Sequence, residues 1–234
     1  MRLPHKLKKK PAWTDTIHPQ EKKQRWDAAV SLVTSLQKLT ESGEQVVQAM
    51  IGAAPFVEWE HYPENDVRDE KRASQYFYHA HPGRRRPFVE HGHFHLFVHA
   101  EELGLRKKDA GFSPAPAHVI AVSMTAQGIP SGFFTVNRWV TKGTWLSLPE
   151  CTMALDTFEV KGRSGNGHIH RFLKSLITLY RPHILALIKE RDRIMEKLCR
   201  ERDRRSVFAD RSIEVLNYCP IALMDDIVEL EALM

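Results

Sequence analysis

Apolar positions in residues 19–41 recur at three- and four-residue steps: Trp26, Ala29, Val30, Val33 and Leu36, with Lys and Gln between them. That spacing lines one face of an amphipathic helix, and Pro19 suits its first turn. Ser42 followed by Gln45 has capping-box spacing and predicts a short second helix through Val46, Val47, Ala49 and Met50, stopping near Gly52. Beyond residue 56 the period changes. Residues 75–81, 91–98, 118–124, 133–141 and 144–148 are rich in aromatic and β-branched side chains, and Pro and Gly separate them. They predict antiparallel strands and hairpins. After a Gly-rich loop at 162–167, Leu173, Ile177, Tyr180, Ile184, Leu187, Met195 and Leu198 keep near-heptad spacing, with Pro182 placed to kink or break the helix. A possible strand at 213–218 and an acidic helix beyond Pro220 close the chain.

Helices, then strands, then helices is an α+β order. The expected fold is an antiparallel sheet or partial β-barrel of about five or six strands, flanked by N- and C-terminal helices. Strand segments apolar on both faces fit either a sheet covered by helices or one curled toward a barrel. The chain divides into a basic flexible tail (1–18), a helical segment (19–55), an antiparallel β module (56–161) and a C-terminal helical segment (168–234) packed on or extending from the sheet.

Composition narrows the function classes. A chain of 234 residues with 42% apolar and 27% charged residues can bury a sizeable core without disulfide or metal support. Cys151, Cys199 and Cys219 are widely spaced and lack a CxxC pair, which fits reduced thiols. No apolar run reaches the ~18 residues of a membrane span, and none follows the basic residues at 1–10, so a cytoplasmic location is expected. The formal charge is +5, but the basic excess near 181–205 is interleaved with acids at helical spacing and reads as a salt-bridged exposed face. Lys8, Lys9 and Lys10 form the densest basic run, best read as a solvated tail; nucleic acid is therefore not the expected partner.

The chemistry concentrates elsewhere. Of 13 histidines, six fall between residues 79 and 99. In extended strands alternate side chains share a face, so Phe77, His79 and His81 lie on one face of the first strand, and His91, His93, His95 and Phe97 on one face of the second. If the strands pair as a hairpin, five imidazoles converge. Neutral imidazole suits Zn, Fe, Cu and Ni. Three histidines with an open position fit catalytic zinc, and two with a carboxylate fit non-haem iron. His79, His81, His93 and His95 are the expected ligands, with His91 a possible further one; the metal is divalent, Fe or Zn first. Glu90 is a ligand or base, and Glu60 a base or orienting carboxylate. Two other readings stay open: histidines that satisfy one another without metal, and an anion site that includes Arg84. Arg84, Asn137 and Trp139 are candidate substrate contacts, the last two sharing a face with core packing as the bland alternative. His118, opening its strand, reads as a boundary residue.

Four blocks carry a resemblance: His61-Tyr62-Pro63 with Asp66 and Asp69; Ser74-Gln75-Tyr76-Phe77-Tyr78-His79-Ala80-His81-Pro82; Glu90-His91-Gly92-His93-Phe94-His95-Leu96-Phe97; and Asn137-Arg138-Trp139-Val140-Thr141 with Thr144-Trp145. Together they resemble an uncharacterised bacterial family, a domain of unknown function, with a His-Gly-His-Phe-His strand motif. The resemblance implies one module spanning these segments and lends no activity. The leading expectation is a metal-dependent enzyme that hydrolyses or oxidises a small-molecule substrate. The alternative is a non-catalytic binding or accessory subunit, forming a homo-oligomer or docking a protein partner through the helix at 171–205 if its heptad face is exposed.

Overall fold

The computed structural model describes residues 4–8, 11, 13, 18–53, 55–81, 88, 90–105, 115–162 and 165–234. Arg84 lies outside the described residues, as do Lys9 and Lys10 of the basic run. Seven described strands form one sheet: β1 (His5–Lys6), β2 (Tyr62–Asp69), β3 (Ser74–His79), β4 (Gly92–Val98), β5 (Ala117–Met124), β6 (Pro130–Val136) and β7 (Val215–Pro220). Their spatial order is β1-β7-β6-β5-β4-β3-β2. All neighbours are antiparallel except β1 and β7, which run parallel. The sheet is open, with β1 and β2 at its edges, so the α+β expectation holds and the partial barrel does not. Helices supply the cover that curling would otherwise provide.

The first helix, α1 (Pro19–Glu41), has the expected span, and the Nδ1 of His18 accepts from the Gln20 N–H at its start. Its buried stripe, however, is Arg25, Ala28, Ala29, Leu32, Ser35 and Leu39, and Val30 is 49% exposed. The helix is rotated from the expected face because it packs along α5 (Gly167–Leu179). Ser42 ends α1 by donating its hydroxyl to the Leu39 carbonyl, and α2 (Val46–Ile51) starts at Gln45 without a side-chain cap. The capping box stands instead at Ser147 and Glu150 and opens α4 (Leu148–Thr157), and the stretch expected as a strand at 144–148 is irregular up to that helix start. Likewise β6 stops at Val136, and Asn137 caps the one-turn α3 (Arg138–Thr141).

In the C-terminal part, Tyr180 separates α5 (Gly167–Leu179) from α6 (Arg181–Glu201), and Pro182 occupies the first turn of α6, where its missing N–H leaves no bond unmade. Short α7 (Arg204–Ala209) leads to β7, and α8 (Leu223–Glu231) follows. Leu173, Ile177, Tyr180, Ile184, Leu187, Met195 and Leu198 are all buried within the chain. The face expected to take a partner is therefore filled by the protein's own core. The segment expected as a flexible tail is tied down in part: His5 and Lys6 extend the sheet, and the Trp13 indole donates to Asp226, which also accepts from the Tyr180 hydroxyl. One apolar cluster links Trp13, α1, the strands, α5, α6 and α8. No helix among the described residues is long and apolar enough to cross a membrane.

Candidate metal centre

Strands β3 and β4 pair with His79 opposite His93 and Phe77 opposite His95. Alternation then sends Tyr76, Tyr78, Phe94 and Leu96 to the helix-covered face and His79, His93, His95 and Phe97 to the other. Gly92 permits the strand to begin here: a Cβ at this position would press on the Tyr78 hydroxyl and stand 2.6 Å from the His79 carbonyl oxygen. Among the described residues, one ligand atom from each of His79, His93 and His95 lies within 4.8 Å of the others. The Nε2 atoms of His79 and His93 are 2.8 Å apart. Nitrogens held at ~2.0–2.1 Å by a tetrahedral ion stand about 3.3 Å from one another, a separation that falls between the 2.8 Å contact and the 4.8 Å bound of this group.

Each buried imidazole has a fixed neighbour on its far side. The Nδ1 of His93 is 3.0 Å from Oε1 of Glu90, whose side chain is 6% exposed while that of His93 is fully buried. The Nδ1 of His95 is 2.9 Å from the Nε2 of His118. Desolvation, with lesser repulsion from Arg191 and His93, holds the His118 imidazole down at about 3, so it is neutral near pH 7. A bulge brings His118 onto this face: Leu96 is opposite Ile120 but Phe97 is opposite His118, leaving Val119 as the extra residue. Strand parity without that bulge puts His118 on the other face, so the sequence offered no signal for it.

Other expected residues are distributed more widely. His81 follows the end of β3; its ring stacks on His93 at 5.2 Å and meets His79 at 4.6 Å, outside the group of three. His91 turns away, to the Tyr78 hydroxyl at 2.7 Å and the Phe56 ring, because it precedes the strand and does not obey its alternation. Glu60 is exposed ahead of β2. Asn137 caps α3 and donates to the Val207 carbonyl, and the Trp139 indole donates to the Ile213 carbonyl. Both side chains thus bind together the α3, α7 and β7 regions. A residue the sequence reading left in the background, His61, stacks on Phe77 at 3.6 Å between ring centroids and is 2.9 Å from Asp66. Asp66 is at φ 53° in the irregular stretch of β2, which lets its second oxygen accept from Gln75.

A model of the family described as Domain of unknown function (DUF6969) matches residues 26–221. The chain belongs to this family. No curated protein and no solved structure matches it. The DUF6969 match runs from α1 into the end of the sheet and includes every histidine of the cluster, while the basic N-terminal segment falls outside it. That agrees with the four sequence blocks forming one module.

Proposed function

We propose that this DUF6969 chain is a metal-dependent enzyme in which His79, His93 and His95 hold a divalent transition metal that acts on a small molecule by hydrolysis or oxidation. The observation that carries the reading is the convergence of three imidazole donors whose most buried member is backed by a carboxylate. A metal-binding imidazole needs a lone pair on the ion and a proton on its other nitrogen, usually donated to an oxygen or another acceptor. Glu90 provides that acceptor for His93, and neutral His118 provides it for His95. Glu90 is then an orienting group rather than a ligand. Three neutral ligands without a carboxylate resemble the catalytic zinc arrangement more than the iron facial triad, which weighs toward hydrolysis by a bound water of lowered pKa. An accessory subunit docking through 171–205 has no exposed apolar helix face in its support.

The test is elemental analysis of tag-free protein after reconstitution with Zn²⁺ or Fe²⁺, beside His93→Ala and His95→Ala. About one ion per chain is expected in the wild type and little in either variant. Substoichiometric metal in the reconstituted wild type refutes the reading.

A further inference from the structure

The turn ahead of β2 places three large apolar side chains in water: Phe56 is 39% exposed, Val57 50% and Trp59 57%. This turn is firmly held. The Val57 N–H donates to the buried Tyr62 hydroxyl at 2.6 Å, that hydroxyl is 3.3 Å from the carbonyl oxygens of Pro55 and Val57, and the Trp59 N–H donates to the Ala80 carbonyl at 2.9 Å. Trp59 has φ 74°, a left-handed conformation that a bulky residue keeps only under such constraint.

The turn also borders the histidines. The edge of Trp59 meets His81 at 4.1 Å between ring centroids, and His81 in turn contacts His79 and His93. His93 and His95 are 0% and 2% exposed, whereas His79 and His81 are only partly buried. The cluster therefore meets solvent on the side where Trp59 stands.

From this juxtaposition we infer that Trp59 forms the apolar wall of a substrate site at the open edge of the metal centre, so that the substrate is a small molecule with a metal-binding head and an aromatic or aliphatic body. The inference rests on the metal reading above and adds the class of substrate. Three half-exposed side chains offer on the order of 300 Å², far below the ~800 Å² per partner of a stable protein interface. Glu58 and Glu60, both exposed in the same turn, would repel an anionic lipid surface. A small apolar body is the occupant that fits both limits.

The experiment uses full-length protein loaded with Co²⁺ and follows its visible spectrum during titration with imidazole and, separately, 4-phenylimidazole. Wild type is expected to bind 4-phenylimidazole about 10-fold more tightly than imidazole, the increment for burying much of a phenyl ring. In Trp59→Ala that ratio should fall to about 2-fold, with imidazole affinity unchanged, and Trp59→Phe should restore most of it. If Trp59→Ala does not hold Co²⁺, Trp59→Leu and Trp59→Phe carry the comparison, each expected to lower the ratio in part. An unchanged ratio in the variants, no preference in the wild type, or no spectral response of the Co²⁺ protein to either probe overturns the inference while leaving metal binding intact. A wild type that takes up no Co²⁺, Zn²⁺ or Fe²⁺ removes the metal reading itself.

Discussion

The two faces of the β3–β4 pair are both largely buried but built differently. On one, Tyr76, Tyr78, Phe94 and Leu96 are 0–1% exposed beneath the helices. On the other, His93 and His95 are just as inaccessible, among Phe77, Phe97 and Phe134, with Phe88 tilted against Phe134 farther along the sheet. Burial therefore does not distinguish the two faces; the chemistry of their side chains does. On the helix-covered face polar atoms are few: the Tyr78 hydroxyl meets His91, the buried Tyr76 hydroxyl has no hydrogen-bond partner among the described residues, and farther along the sheet Asn217 accepts from Thr135 and donates to the Leu187 carbonyl. On the histidine face, imidazoles stand within hydrogen-bond reach of one another. An arrangement rich in nitrogen lone pairs and backed by Glu90 is suited to a cation, whereas the Tyr and Phe face is suited only to packing.

That contrast can be broken most directly by truncating one side chain on each face. Phe94→Ala should destabilise the protein by about 3–5 kcal/mol in urea unfolding, with or without metal, because it leaves a cavity beneath the helices. His95→Ala should lose the stabilisation that metal confers, about 2.7 kcal/mol at a free concentration 100 times Kd, and lose less than Phe94→Ala when metal is absent. Equal losses without metal would mean that both faces serve packing alone. Gly92→Ala tests the close approach of β4 to β3: crowding of the Tyr78 ring and the His79 carbonyl should destabilise by about 1–3 kcal/mol, read as a lower melting temperature. The finest probe is Glu90→Gln. It should weaken metal binding about 10–100-fold by competitive chelator titration with little change in the melting temperature of the metal-free protein. Unaltered affinity would show that the carboxylate does not orient His93.

Much of the histidine cluster was legible because strand parity is a local property. His79 with Phe77, and His93 with His95 and Phe97, share a face by spacing alone, and the hairpin register then brings the two groups together. Parity failed wherever a strand ended or bulged. His91 lies before Gly92 and turns to Tyr78; Val119 interrupts β5 and delivers His118 to the histidine face. Helix spacing fared similarly. The extent of α1 followed from its period, but which stripe is buried depended on where α5 packs, so Val30 points outward. The strand expected at 133–141 was cut short by the helix start at Asn137, and the one expected at 144–148 runs as irregular chain into the Ser147–Glu150 box.

The sequence by itself determined the α+β class, the break before Pro182, and the placement of histidines at alternate positions on two adjacent strands, since each follows from backbone geometry over a few residues. Only the tertiary structure decided that the sheet stays open, that the heptad face of α5 and α6 is internal, and that Glu90 and His118 stand behind the imidazoles. Those depend on contacts between segments distant in the chain, where helix packing and a single bulge, rather than local period, set which side chains meet.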